Sequence, residues 1–153
     1  MEPSSEVHGG HYEKAVAKLS NRVPATLFCL RVSVFVVMFM WTIDKWLRPG
    51  HAASIYEHFY GIGGLGPLVM GLVAGAEMLL LLAFLVGFAP RITYALVLLL
   101  HAISTLASYR QYLHPFDGNN LLFFAAWPML AACFTLYWLR DLDTIGRAFH
   151  KQV

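Results

Sequence analysis

Charge is scarce in this sequence. Asp, Glu, Lys and Arg supply 13% of its 153 residues, about half the share found in a soluble domain. Cysteine is scarcer still. Cys29 and Cys133 are the only two; both fall in apolar runs, and no Cys-x-x-Cys is present. A thiol-disulfide relay across a membrane needs a spaced pair near one face, so both cysteines are expected to be small buried apolar residues. There is no block of like charge and no basic patch to hold a nucleic acid. The polar first 23 residues, "MEPSSEVHGGHYEKAVAKLSNRV", lack the apolar core and small-residue cleavage site of a signal peptide. "GIGGLGP" follows no strand and sits in no βαβ unit, so it is a flexible turn and not a dinucleotide fingerprint.

What the chain has in abundance is apolar length. Hydrophobic residues make up 58% of it, and they are clustered. A bilayer core of roughly 30 Å takes about 20 apolar residues of helix. Four runs qualify: 24–43, 68–88, 92–108 and 120–139. Backbone groups in lipid must be bonded within the segment, and these runs lack the alternation of barrel strands, so the spans are helices. The predicted fold is all-α, an antiparallel bundle of four transmembrane helices. Residues 1–23 form an N-terminal tail, 24–139 a single membrane domain and 140–153 a C-terminal tail. Nothing is left over for a soluble catalytic domain. The "FAPR" turn makes the second and third spans a hairpin, and Pro128 should kink the fourth.

Lys and Arg set the orientation. The side of the two termini carries Lys14, Lys18, Arg22, Arg91, Arg140, Arg147 and Lys151; the other carries Lys45, Arg48 and Arg110. The bias places both termini in the cytoplasm, which an even number of spans requires to be the same side.

Ionisable residues at membrane depth are costly and mark interior contacts. Glu77 lies near the middle of the second span and His101 in the third; counted from the hairpin, both are roughly 15 Å deep. Arg31 is roughly 10 Å into the first span, with a side chain long enough to reach further. Helical spacing puts Arg31 on a face with Met38, Thr42 and Lys45. It stacks Glu77 with Met70, Ala74, Leu81 and Phe84, and His101 with Tyr94, Thr105 and Ser108, Ser104 lying beside them. The expectation is one buried cluster, Glu77 pairing with Arg31, His101 or both. Two readings stay open: an ion pair that fixes helix register, and a proton-accepting or quinone-facing pocket. Gly71 and Gly75, a Gly-x-x-x-Gly on another face, are expected to let a helix approach closely.

Outside the spans, "HAASIYEHFYG" reads as a short helix on the membrane surface, among the interfacial rings Trp41, Trp46, Tyr56, Phe59 and Tyr60. His51, His58 and His114, with Glu57 and Asp117, are weak candidates for a metal. His51 and His58 are seven residues apart, about 10 Å along a helix, too far to chelate together, so no metal site is expected. "HGGH" (His8, His11) is read as incidental.

Certain residues resemble a known family. Arg31 early in the first span, "DKW" with Lys45 at its outer end, Glu77, then "VGFAPR" with Gly87 and Arg91, and "LDT" after the last span are similar to the DoxX-like group of small four-span membrane proteins, which includes MauE-type relatives. The likeness covers about residues 25–145. The family's usual glycines in the first span are absent here, and the outer loop is longer. Its motif positions fall on Arg31, Lys45, Glu77 and Arg91. The resemblance implies a membrane subunit associated with a quinone-linked or oxidant-resistance complex in a bacterial inner membrane. The chain itself carries no cofactor motif, so a diffusible quinone or a partner membrane or peripheral protein would supply the redox chemistry. The alternatives are a non-catalytic scaffold or assembly subunit, alone or as a homo-oligomer, and a small-solute transporter.

The charge bias generates a direct test. A periplasm-dependent phosphatase fused after Val153 is expected to be inactive, and the same fusion in the loop after Tyr60 active; the reverse pattern would invert the topology.

Overall fold

The structure, a computed structural model, describes residues 4–147, with side chains from residue 13 onward except at 15 and 21. His8 and His11 therefore lack described side chains, and Lys151 lies outside the described residues. All regular structure among the described residues is helical. Helix α1 runs Ser4–Leu47, α2 Pro49–Tyr60, α3 Pro67–Leu85, α4 Pro90–Ala107, α5 Tyr109–Leu113 and α6 Ala126–Trp138. Short 3₁₀ turns at Asn120–Ala125 and Arg140–Leu142 flank α6. Four helical segments are long and apolar enough to cross a membrane: Val16–Leu47, Pro67–Leu85, Pro90–Ala107 and Asn120–Trp138. The chain is a multi-pass membrane protein.

The four long helices close a ring in which α1 packs on α3, α3 on α4, α4 on α6 and α6 back on α1. Their shared core is Leu27, Val34, Met38, Leu81, Phe84, Tyr94, Val97, Cys133 and Leu136. Most residues of the helical stripes read from spacing are buried, although Ser104 is exposed and Glu77 and His101 are only partly buried. Met70, Ala74, Leu81 and Phe84 are closed off on α3, as are Tyr94, Thr105 and Ser108 on α4 and Met38, Thr42 and Lys45 on α1. The outer faces carry exposed Leu72, Leu79, Leu99, Leu106 and Phe134, as lipid-facing surfaces do.

Several expectations change. The predicted tail of residues 1–23 is largely helix continuous with the first span, because Pro24 interrupts one hydrogen bond without ending α1. The fourth span begins as a 3₁₀ turn that becomes α-helix at Ala126. Pro128 falls in the first turn of α6, where its missing N–H matters least, so in mid-span it marks the change from 3₁₀ turn to α-helix and does not interrupt a continuous α-helix. Cys133 is buried as expected, whereas Cys29 is exposed on the outer face of α1. Gly71 meets only the edge of Trp46, 3.9 Å from where a Cβ would sit, and Gly75 meets nothing within 4 Å. Their Gly-x-x-x-Gly mediates no close helix approach among the described residues.

The surface helix α2 is present. Pro49 starts it, and Gly61 ends it in the left-handed conformation (φ 69°), its N–H bonded to Glu57 O at 3.1 Å. It buries Ala52 and packs on α1 and α3. The α3–α4 turn spans four residues, 86–89. Gly87 has φ 63° and Ala89 φ 42°, a left-handed conformation that L side chains adopt at a cost. The Thr93 hydroxyl donates to Phe88 O at 2.9 Å and braces it.

Gly87 has no room for a side chain. A Cβ there would lie 2.7 Å from Arg31 Nη1 and 2.8 Å from Arg147 Cγ. Gly87→Ala is expected to destabilise the protein by about 2 kcal/mol or more, combining the left-handed penalty with overpacking. Gly75→Ala is expected to be neutral or slightly stabilising. Thermal melting of both variants in detergent checks the contrast.

Candidate functional site

The three residues expected to form one cluster occupy three separate sites. Arg31 is fully buried and holds Asp143 (also fully buried) at 3.3 Å. Its Nη1 donates to the Tyr94 hydroxyl at 2.9 Å, and Tyr94 donates in turn to Asp143 Oδ2 at 2.6 Å. Nη2 donates to the Ile145 carbonyl, and the guanidinium stacks over the Phe28 ring. Helical side chains lean toward their own N-terminus. From α1, Arg31 therefore reaches toward the end of the bundle where the chain returns after α6. Gly87 and Gly146 line the approach: a Cβ on Gly146 would be 3.3 Å from Arg31 Nη2 and 3.2 Å from Phe28. Arg147 donates to the Arg140 carbonyl and closes the turn around the pair.

Glu77 pairs elsewhere. Its Oε2 accepts from Lys45 Nζ at 2.7 Å and from the Thr42 hydroxyl at 3.0 Å. Lys45 Nζ also lies 3.3 Å from the Trp41 carbonyl, so the side chain folds back along its own helix. Lys45 leans toward the N-terminus of α1 and Glu77 toward the N-terminus of α3. With Trp46 Nε1 bonded to the Gly71 carbonyl at 3.1 Å, those directions converge. Tyr56 of α2 packs against Tyr60, ring centroids 5.2 Å apart; burial, then the Glu77 charge and Tyr60, push its phenol above the ordinary range.

Arg31 misses Glu77 for a reason of length. Gly87, at the level of Arg31, is ten residues past Glu77, about 15 Å of helical rise. That exceeds the reach of an arginine side chain. His101 turns to α6, where its Nε2 lies 3.1 Å from the Ala126 carbonyl, and the Thr105 hydroxyl is 3.4 Å from the same nitrogen. It is a partly buried histidine held by a backbone carbonyl, not a partner of Glu77. Arg91, the fourth motif position, is exposed at the start of α4.

A third charged site escaped the sequence reading. Asp44, 8% exposed at the end of α1, accepts from Arg48 Nε at 2.5 Å and faces His51 Nδ1 at 2.7 Å. This ties α2 to α1. His58 packs edge-on to Phe59, and His114 lies 3.9 Å from Asp117. His51, His58 and His114 are thus held apart, and no group of three His, Cys, Asp or Glu able to hold a metal occurs among the described residues. The readable signal for Asp44 was its place in "DKW", four residues before Arg48 and seven before His51. Asp143, in "LDT", lay beyond the last span and gave no sign of being a membrane-depth partner.

Comparison with protein-family models, curated proteins and solved structures finds no match.

The arrangement makes the two ion pairs separable. Arg31→Met is expected to cost about 3–5 kcal/mol by stranding the Asp143 carboxylate. Nε of Arg31 and Oδ1 of Asp143 have no hydrogen-bond partner among the described residues. The intact pair is therefore under-satisfied, and Arg31→Met with Asp143→Leu should recover much of the loss. Lys45 with Glu77 should couple in the same way. Arg31 with Glu77 should be additive within about 0.5 kcal/mol, as for distant sites. Double-mutant cycles on detergent-solubilised protein distinguish these outcomes; strong coupling between Arg31 and Glu77 would overturn the separation.

Proposed function

We propose that the chain is a DoxX-like protein of a bacterial inner membrane, working as the membrane subunit of a redox-associated complex. The observation that carries the reading is the convergence of the residues behind the resemblance. Arg31, Gly87 and the aspartate of "LDT", Asp143, meet at one end of the bundle, and Lys45 meets Glu77 toward the other. Motif positions scattered over more than a hundred residues, the exposed Arg91 excepted, thus fall into two compact polar clusters. This supports treating them as a set.

In this reading the four spans are antiparallel and both termini face the cytoplasm. The Arg31 cluster then sits at the cytoplasmic end and the Lys45–Glu77 pair near the periplasmic end, beneath α2. Lys45 and Glu77 retain a little exposure, 11% and 17% of their side chains. A quinone headgroup or a partner protein arriving at that end would meet a proton donor and a proton acceptor side by side. Electron transfer itself would belong to the quinone or the partner.

A scaffold or assembly role is the second reading. What favours it is that the fully buried charges, Arg31 and Asp143, neutralise each other, as register-fixing ion pairs do.

The discriminating variant is Glu77→Gln with Lys45→Met, which removes the charges while leaving a hydrogen-bonding amide. Cells carrying it in place of the wild type are expected to lose oxidant tolerance and to lose quinone or a redox partner from complexes extracted in mild detergent. Normal tolerance with an intact complex would leave only the scaffold. Loss of neither on deleting the whole gene would overturn the redox reading.

A further inference from the structure

We propose that the N-terminal stem of α1, residues 13–23, docks on the anionic headgroups of the membrane leaflet from which it emerges. The helix is far longer than the bundle. Its 44 residues rise about 66 Å, and a bilayer core needs roughly 30 Å. The bundle's own contacts fix where it ends: Phe28 and Arg31 pack against Gly146, and Arg31 against Gly87. Leu27 is buried, while Glu13, Lys14, Val16, Ala17, Lys18, Leu19, Ser20 and Arg22 are all exposed. Val16 and Leu19 are 46% and 59% exposed among the described residues.

The stem has two stripes. Lys14, Lys18 and Arg22 follow one another at four-residue steps and form a basic ridge. Val16, Leu19 and Val23 follow at steps of three and four and form an apolar ridge beside it. Glu13 is the sole acid among residues 13–23. A lone helix in water carrying Gly9, Gly10 and Pro24 is poorly supported by its own propensity, so the stem calls for a surface to cover it.

Charge chooses that surface. The same end of the molecule presents exposed Arg91, while Arg140 is paired with Asp141 at 4.0 Å and Arg147 is folded onto the Arg140 carbonyl. With the ridge, this makes a juxtamembrane group of four cations free among the described residues, the lower end of the cluster size that anionic lipid attracts. A second copy would set one basic ridge against another, which like charge opposes. An anionic leaflet accepts the cations while its acyl boundary takes Val16 and Leu19, as it does the apolar face of other interfacial amphipathic helices; Val23 already rests on the bundle core. Pro24 supplies the pivot. It has no N–H for the Ser20 carbonyl, and the Ser20 and Thr26 hydroxyls bond the Ala17 and Arg22 carbonyls at 2.8 and 3.0 Å. The stem can tilt there without disturbing the Arg31 cluster below.

The test uses the full chain with Cys29→Ser and a spin label at Val16→Cys, one copy per nanodisc. In discs of phosphatidylcholine with phosphatidylglycerol, the label is expected to be several-fold less accessible to a water-soluble relaxation agent than in phosphatidylcholine alone. High salt should reverse the difference, and Lys14→Gln, Lys18→Gln and Arg22→Gln together should abolish it. Because those side chains are exposed, the triple variant should melt like the wild type. Equal accessibility in the two lipids would overturn the proposal. So would label-to-label coupling in two-copy discs that is indifferent to lipid charge, since a second copy would then be the cover.

Discussion

A guanidinium at membrane depth costs several kcal/mol unless a counter-charge reaches it, and nothing within its own helix neutralises Arg31. The carboxylate that does so, Asp143, lies beyond the last span. The 3₁₀ turn after α6 must therefore bring the chain back beneath the bundle. Several local features follow from that closure. Gly87 must be glycine so that Arg31 can pass the α3–α4 turn, and Gly146 so that Phe28 and the guanidinium can lie against the returning chain. Tyr94 fills the space between the charges and bonds both. One buried cation thus links α1, α4, the α3–α4 turn and the segment after α6.

The opposite end solves the same problem with less burial. Lys45 and Glu77 meet because helical side chains slant toward their N-termini, and the end of α1 lies beside the beginning of α3. Asp44, one residue earlier on α1, faces away from that pair and anchors α2 through Arg48 and His51. Consecutive residues of one helix are about 100° apart. Adjacent acid and base can therefore serve two different neighbours, the acid holding the surface helix and the base holding the bundle.

Between these ends the bundle is ordinary lipid-embedded packing: a thin core with large aliphatic side chains turned outward. Lipid offers no hydrophobic drive for helix association, so polar contacts carry an unusual share of the specificity. Two buried pairs at different levels give the ring a single register, since sliding α1 along its axis would part both at once.

Periodicity and composition determined which four segments are long and apolar enough to cross a membrane and which face of each points inward, but not that α1 continues through the polar residues before its span. The stripes through Arg31, Glu77 and Tyr94 were legible because a helix repeats every 3.6 residues whatever surrounds it. The partners of those residues were not. A face tells which way a side chain points, but the level at which two helices meet depends on how the whole ring is stacked. An offset of some 15 Å separated Arg31 from Glu77 and gave Glu77 to Lys45. Asp143 was hidden because it sits in a polar segment after the last span, where composition carries no sign of burial; only the return of the chain beneath the bundle made it the counter-ion of Arg31.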